Sequence, residues 1–521
     1  MNERPRWTVM DLAPALRVAF TTILVLLQFV MCWLFVRFLR EYAVTVYVAL
    51  ELLCGVIIVA LISRNREPSY RYAWVVLVLL LGVFGLVMYL LWGRGTGRNA
   101  LSQRIVQSCA AREGLLLAEG KREEQEALLD TLAQAHPEGQ RISRYLYKLG
   151  FPAYDQTGVR YFTLGEHAFE AMLEDIAEAK AFIYLQFFIV TEGQIWDRFF
   201  ALLADKAQQG VQVRMMYDDA GSITMPSAFR ERLHAIGAEV AVFNPVHRHV
   251  NQLYLNYRDH RKILAIDGQI AYTGGINLAD EYANLYAKHG HWKDTAVRLD
   301  GPAAASLTLS FLQTWQALTG QSAEEAFRAL PPPAARESDG CVLPYEDGPQ
   351  NNPENPAETV YREMMNAARR TLYVTTPYLV IDDMLLEALC QAARSGVDVR
   401  VVVPSIPDHW YVHLTSQSFY GELLAAGVRV YEYTPGFMHA KMVCVDAEQA
   451  VVGTVNMDFR SFNLHYECAV WLCGGTVPGQ VHEDILAALA LSREVSLDEW
   501  RKRRWYVKAL QPCLRLFSPL M

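Results

Sequence analysis

The chain repeats itself, and that constrains its fold more than any other feature. The run IYLQFFIV at 183–190 returns as LYVTTPYLV at 372–380, and Gly210-VQVR returns as Gly396-VDVR. LHAIGAEVAVFNP, ending at Pro245, returns as LLAAGVRVYEYTP, ending at Pro435. Such self-similarity means two copies of one structural unit. Within each copy short β-like runs alternate with helical stretches. That predicts an α/β fold class, with two pseudo-symmetric halves of mixed sheets covered by helices. Such halves pack about a pseudo-two-fold, so whatever both carry can meet at the shared seam.

Both carry a cluster of reactive residues. The first is His260-x-Lys262-x4-Asp267-x6-Gly274-Gly275-x-Asn277, and the second is His439-x-Lys441-x4-Asp446-x6-Gly453-Thr454-x-Asn456. His to Asn is seventeen residues in both. Strand alternation predicts that His260 and Lys262 point one way and Arg261 and Ile263 the other. Asp267-Gly268 is a hairpin signal, and the returning strand brings Asn277 back toward the histidine. Imidazole, ammonium and amide then converge beside glycines that let a ligand oxygen approach the backbone. That is equipment for a phosphate. A structural repeat needs its apolar positions to match; it does not need His, Lys and Asn to match.

Asp267 and Asp446 fall at the far ends of their strands, about five residues from the lysines. At roughly 3.3 Å per residue that is too far to touch the reacting group, which predicts a turn or salt-bridge role. A histidine that attacks phosphorus must be neutral, and a carboxylate on its second nitrogen fixes the tautomer. Asp294 in HWKDTAVRL and Glu467 in HYECAVWL precede the next β-like run in their halves and are the expected partners, although their offsets differ.

The rest of the chain divides by composition. Apolar residues make up 52% of the sequence, and the excess lies in the first hundred residues. Val18–Val36 and Tyr72–Trp92 carry no charge, and Tyr42–Ile62 carries only Glu51. Each is long enough to cross a bilayer core of roughly 30 Å. Residues 1–100 therefore read as a membrane domain with two to three transmembrane helices, and 101–140 as a polar helical connector. Residues 141–330 read as the first half, 331–356 as a Pro-rich linker, and 357–521 as the second half. The second half ends in a basic segment, Arg501-Lys502-Arg503-Arg504. A net charge of −8 argues against a general nucleic-acid binder. Nine cysteines without ligand spacing predict free thiols and no metal site.

The paired motifs resemble the phospholipase D superfamily. NYRDHRK, GGIN with DEY, WKDT, GFMHAK, NMDFRSF and the ending LFSPLM are similar to the bacterial cardiolipin synthases within it. The resemblance implies two phospholipase D-like halves preceded by transmembrane helices. It implies a ping-pong phosphatidyl transfer through a phosphohistidine, without metal or other cofactor. The catalytic set carried over is His260, Lys262, Asp267, His439, Lys441 and Asp446. Asn277, Asn456, Gly275 and Thr454 would bind phosphate, and Asp294 and Glu467 would orient the histidines. His260 is the expected nucleophile and His439 the acid/base, the pseudo-symmetry leaving the reverse open. The implied partners are membrane phospholipids, with phosphatidylglycerol as substrate, cardiolipin as product and no nucleic acid. The implied place is the cell membrane, multi-pass, with a cytoplasmic body. A lipid hydrolase, a membrane-anchored nuclease and an inactive scaffold are the alternatives.

Overall fold

The strand ILAI, just after the first His-Lys pair, shows how the sheets are built. Ile263 and Ala265 face one apolar cluster, together with Met442 and Cys444 of the equivalent strand. Leu264 and Ile266 face a second cluster on the other side. A strand apolar on both faces is buried on both, at about 1.5–3 kcal/mol for each fully buried large side chain.

The computed structural model of the chain describes residues 42–63, 68–93, 100–117, 121–226, 228–245, 257–351 and 354–520, with scattered positions between 23 and 37. Contacts divide it into two compact units. One comprises Met1–Thr96, His249–Tyr254 and Leu516–Met521, and the other Gly97–Arg248 and Leu255–Arg515.

The larger unit holds two sheets of the same topology. The first runs Gly158–Phe162, Ala296–Asp300, Ile270–Gly274, Ile263–Ile266, Phe182–Phe187, Gln212–Asp218, Glu239–Phe243. The second runs Cys341–Asp347, His465–Cys473, Gln449–Gly453, Met442–Val445, Thr371–Thr375, Asp398–Pro404, Arg429–Tyr433, with Ser492–Val495 added at the edge. The last three strands of the shared order pair in parallel and the others antiparallel. The inner faces share one cluster, to which helices Ala304–Thr319 and Val477–Ala490 add Leu307, Phe311, Val481 and Ile485. Thr273 of one sheet meets Cys468 Sγ of the other at 3.2 Å. Helices Gly165–Glu178 and Gln194–Gln208 cover the first sheet's outer face with Phe169, Trp196 and Phe199. Asp383–Arg394 and Trp410–Ala426 cover the second with Leu385, Leu389 and Phe419.

Two expectations need correction here. Residues 341–347 are not linker. They form a strand with all seven residues buried, registered Cys341↔Cys473 to Asp347↔Glu467, so the second sheet begins inside the Pro-rich segment. The polar stretch after residue 100 belongs to the larger unit. Its helix Lys121–Ala135 lays Leu129 and Leu132 into the second sheet's outer core.

In the smaller unit, helix Ala43–Ile62 is, among the described residues, the one helix long and apolar enough to cross a membrane. The span expected at 72–92 is broken. Gly82 takes φ +55° and separates helix Pro68–Leu81 from Val83–Met88 and a π-helical turn Tyr89–Gly93. The span expected at 18–36 lies largely outside the described residues.

The two motif hairpins turn at Asp267-Gly268, with φ +53° and +68°, and at Asp446-Ala447, with φ +55° and +58°. Glycine takes this conformation freely, whereas alanine is strained there. Ala447→Gly should therefore stabilise the protein by about 0.5–1 kcal/mol after the extra unfolded-state entropy is subtracted. Thermal denaturation of the variant against the parent checks the sign.

Candidate active site

Each motif histidine sits just after a short strand that pairs with the opposite half. Arg258–Asp259 runs parallel to the start of His465–Cys473, and His260 N–H donates to Tyr466 O at 2.8 Å. Gly436–Met438 runs parallel to His291–Lys293, and His439 N–H donates to Lys293 O at 2.8 Å. The two crossings mirror each other and bring each imidazole to the other half's carboxylate. His260 Nδ1 lies 3.0 Å from both oxygens of Glu467. His439 Nδ1 lies 2.6 Å from Asp294 Oδ2. With Nδ1–H given to a carboxylate, the Nε2 lone pair is left free on each ring.

Sequence offsets made Asp294 and Glu467 look inequivalent; the sheet register makes them equivalent. Gly274 pairs with Ala296 and Gly453 with Ala469, and each acid stands two residues before that alanine. The residue after each motif glycine serves these acids. Gly275 leaves room for Asp294, whose Oδ1 a Cβ would strike. The Thr454 hydroxyl donates to Glu467 Oε2. Gly275 and Thr454, expected among the phosphate contacts, thus buttress the carboxylates.

Residues 260–262 and 439–441 lie between strands rather than within one. The expected divergence of side chains is nonetheless present at Arg261. Its guanidinium turns away into a buried network with Asp259 Oδ1 at 2.8 Å, Glu346 Oε2 at 3.0 Å and Thr314 Oγ1 at 2.8 Å. Arg112 joins through Glu346 at 3.0 Å. The network clamps the segment beneath His260 and had no legible sequence signal, because its members lie far apart in the chain.

Lys262 Nζ donates to His260 O at 2.6 Å, and Lys441 donates to His439 O. Lys441 Nζ also lies 2.9 Å from His439 Nδ1. The charges couple across the halves: Lys262 acts on both His439 and Lys441, and Asp294 and Glu467 act on both lysines. Burial pushes Lys262 down to about 8, against the pull of Glu467 and Asp294. It pushes Lys441 down to about 7, with Lys262 pressing the same way. Burial also lowers His260 to about 3 and His439 to about 4, so both rings are neutral near pH 7. Burial alone would raise Asp294 and Glu467. The facing imidazoles outweigh it and hold both acids below the usual carboxylate range.

Asp267 and Asp446 take no part in this cluster, contrary to their carried-over catalytic place. Asp267 accepts the N–H groups of Lys180, Ala181 and Phe182, each at 2.8 Å, and Asp446 those of Arg369, Arg370 and Thr371 at 2.7–2.9 Å. Each pins its hairpin to the start of the neighbouring strand. Asn277 accepts from Ile189 N–H at 3.0 Å and donates to Tyr282 Oη at 2.7 Å. Tyr282 in turn stands edge-on to His439 at 5.3 Å. The Asn456 Oδ1 is buried without a hydrogen-bond partner among the described residues.

The sequence reading missed the aromatic walls. Trp292 and Phe437 lie 5.3 and 5.7 Å from His439, and Phe188 lies 5.0 Å from His260. It also missed His465, whose ring is 5.5 Å from His260. Two free imidazole lone pairs flanked by two ammonium groups can attack a phosphoester, return a proton and hold its non-bridging oxygens.

The chain is similar to known proteins over most of its length. Residues 172–306 and 361–487 match the family described as "Cardiolipin synthase, PLD-like domain", and residues 52–94 match "Phospholipase_D-nuclease N-terminal". The chain is 35% identical over 461 residues to cardiolipin synthase 2 of Bacillus anthracis, covering 88% of each chain. It is 34% identical over 471 residues to a cardiolipin synthase of Geobacillus kaustophilus, covering 90% of this chain and 92% of that one. The phosphatidylserine synthase structure from Haemophilus influenzae is similar with a TM-score of 0.56 and 13% identity. It covers 73% of this chain and 100% of that one, a likeness of fold.

The lysines give the site a pH signature. With pKa values lowered to about 7 and about 8, both lose charge as pH rises past neutrality, and an anion between them draws the protons back. A soluble phosphodiester, singly charged throughout, should bind roughly tenfold more weakly at pH 9 than at pH 6.5. Calorimetry in buffers of different ionisation enthalpy should show proton uptake on binding; pH-independent affinity would contradict the reading.

Proposed function

The chain belongs to the phospholipase D-like cardiolipin synthase family, and we propose that it is a cardiolipin synthase: it transfers a phosphatidyl group from one phosphatidylglycerol to another. The observation that carries this is the pair of crossed histidine–carboxylate hydrogen bonds with a lysine beside each. In the first step His260 Nε2 attacks phosphorus, the bond to the leaving glycerol breaks, and His439 gives that oxygen a proton. In the second, a glycerol hydroxyl of another phosphatidylglycerol attacks the phosphohistidine. His439 takes the hydroxyl proton, the P–N bond breaks and neutral His260 returns. The products are cardiolipin and glycerol. Lys262 and Lys441 face the non-bridging oxygens, where charge builds.

The division of labour follows from unequal carboxylates. Glu467 also accepts the Thr454 hydroxyl and lies 3.8 Å from His465 Nδ1. Asp294 serves His439 with its own neighbour's Thr295 N–H. Each acid accepts one further hydrogen bond, but His439 lies 2.6 Å from Asp294 and His260 3.0 Å from Glu467, and the shorter bond supports an imidazolium more. His260 therefore stays the neutral nucleophile and His439 is the better proton carrier. His439 needs its proton only once an anionic diester lies beside it, and that charge favours protonation.

Membrane placement supports a lipid substrate. Ala43–Ile62 is the anchor, and the broken segment from Pro68 to Gly93 and the run at 18–36 are further crossings in a multi-pass arrangement. Free thiols suit a catalytic body on the cytoplasmic side. Exposed Arg501, Lys502 and Arg504 add attraction to anionic headgroups of about 1 kcal/mol each. Arg503 is already stacked on Trp500, its guanidinium 3.5 Å from the ring centroid.

Purified protein given phosphatidylglycerol vesicles should release cardiolipin and free glycerol, read by lipid mass spectrometry. Phosphatidic acid without cardiolipin would identify a hydrolase instead. The histidine roles separate on a lipid diester with a p-nitrophenol leaving group, which departs without a proton. On it His439→Ala should accumulate a phosphoenzyme and His260→Ala should form none, the opposite pattern reversing the assignment. On phosphatidylglycerol, losing the acid/base should cost about 10²–10⁴-fold in turnover.

A further inference from the structure

His465 is a buried imidazole that the reaction above does not use. It is 8% exposed, and its Nδ1 faces Glu467 at 3.8 Å, beyond hydrogen-bond distance, with no closer polar partner for either ring nitrogen among the described residues. Leaving such a group unpaired costs free energy, so its partner is expected to come from elsewhere. One donor atom from each of His260, His465 and Glu467 lies within 4.8 Å of the others. The His260 Nδ1–Glu467 distance is 3.0 Å and the His465 Nδ1–Glu467 distance 3.8 Å. Two donors on one tetrahedral zinc ion, bound at about 2.0–2.2 Å, stand roughly 3.3–3.5 Å apart. The two separations from Glu467 bracket that value, and the donors of the two imidazoles, within 4.8 Å of each other, would have to draw together around the ion.

We propose that His260, His465 and Glu467 form a binding site for a divalent transition-metal ion, zinc foremost, and that occupancy switches the enzyme off. Two imidazoles and one carboxylate, with a fourth position open, are a donor set zinc takes readily. The ion would take the Nδ1 lone pair of the neutral His260 ring, whose proton then sits on Nε2, so the hydrogen bond to Glu467 and the lone pair that attacks phosphorus are both lost. The ring would then lose the carboxylate that supports its positive charge during attack on phosphorus. The inhibitory half of the proposal rests on His260 being a reacting group; the binding half does not. Lys262 acts electrostatically on His260 and would repel a cation there, which weakens the expected affinity.

The site exists on one side of the pseudo-two-fold only. By the same sheet register that equates Asp294 with Glu467, the position of His465 is held in the first half by Trp292. Trp292 packs against His439 as His465 packs against His260, but its indole N–H donates and cannot ligate. Among the described residues His439 and Asp294 therefore have no third donor grouped with them.

The test uses the full-length protein in detergent after chelator treatment. One Zn²⁺ or Co²⁺ should bind per chain, Co²⁺ with the visible absorption of a tetrahedral site, and zinc should abolish turnover until EDTA restores it. His465→Asn and His465→Gln, each checked for folding by its thermal midpoint, should lose the Co²⁺ band. They should need at least about tenfold more zinc for half-inhibition. Unchanged zinc sensitivity or a surviving band in both variants would overturn the site, as would a wild-type chain that binds no ion. Binding without loss of turnover would overturn the switch. The ion titrations need no lipid, so they stand apart from whether the chain makes cardiolipin.

Discussion

The hydrogen bond from each motif histidine to a carboxylate of the opposite half is the interaction on which the rest depends. It is short on both sides, 3.0 Å at His260 and 2.6 Å at His439, and all four groups are buried. Neither half can make its own version. The strand carrying His260 pairs with the strand leading to Glu467, and the strand carrying His439 pairs with the one leading to Asp294. The pseudo-two-fold is therefore a requirement of the chemistry, because a single half would hold an imidazole with no fixed tautomer. The shared apolar core between the two sheets keeps these crossings in register.

Around that pair of bonds the motif positions sort by distance. His and Lys stand at the centre. Gly275 and Thr454 stand behind the acids, one by leaving space and the other by donating a hydrogen bond. Asp267 and Asp446 stand at the far turns, each tying three backbone N–H groups of the neighbouring strand. Their fixed spacing from the lysines reflects hairpin length rather than reactivity. Burying two lysines in one cluster costs free energy, which Asp294 and Glu467 offset in part by acting on both.

The halves are not identical in what surrounds their histidines. His439 is walled by Tyr282, Trp292 and Phe437 and has Asp294 as its carboxylate. His260 is walled by Phe188 and His465 and shares Glu467 with Thr454. The two histidines thus stand in equivalent places of the repeat with unequal surroundings.

The sequence by itself determined the two α/β halves, the family, and which His, Lys and Asn positions match between the halves. The reason is that period-two apolar runs and matched His-Lys-Asn spacings are local features. It also placed Asp267 and Asp446 at turns from strand length alone. Only the tertiary structure decided which acid serves which histidine, because the pairing crosses the halves and depends on sheet register, in which Asp294 and Glu467 are equivalent despite unequal sequence offsets. It likewise decided that residues 341–347 are a strand within an apparent linker, since pairing with His465–Cys473 is a contact over more than a hundred residues. The break at Gly82 was hidden for a related reason: hydropathy measures length and composition, whereas a positive φ at one glycine interrupts a helix without changing either.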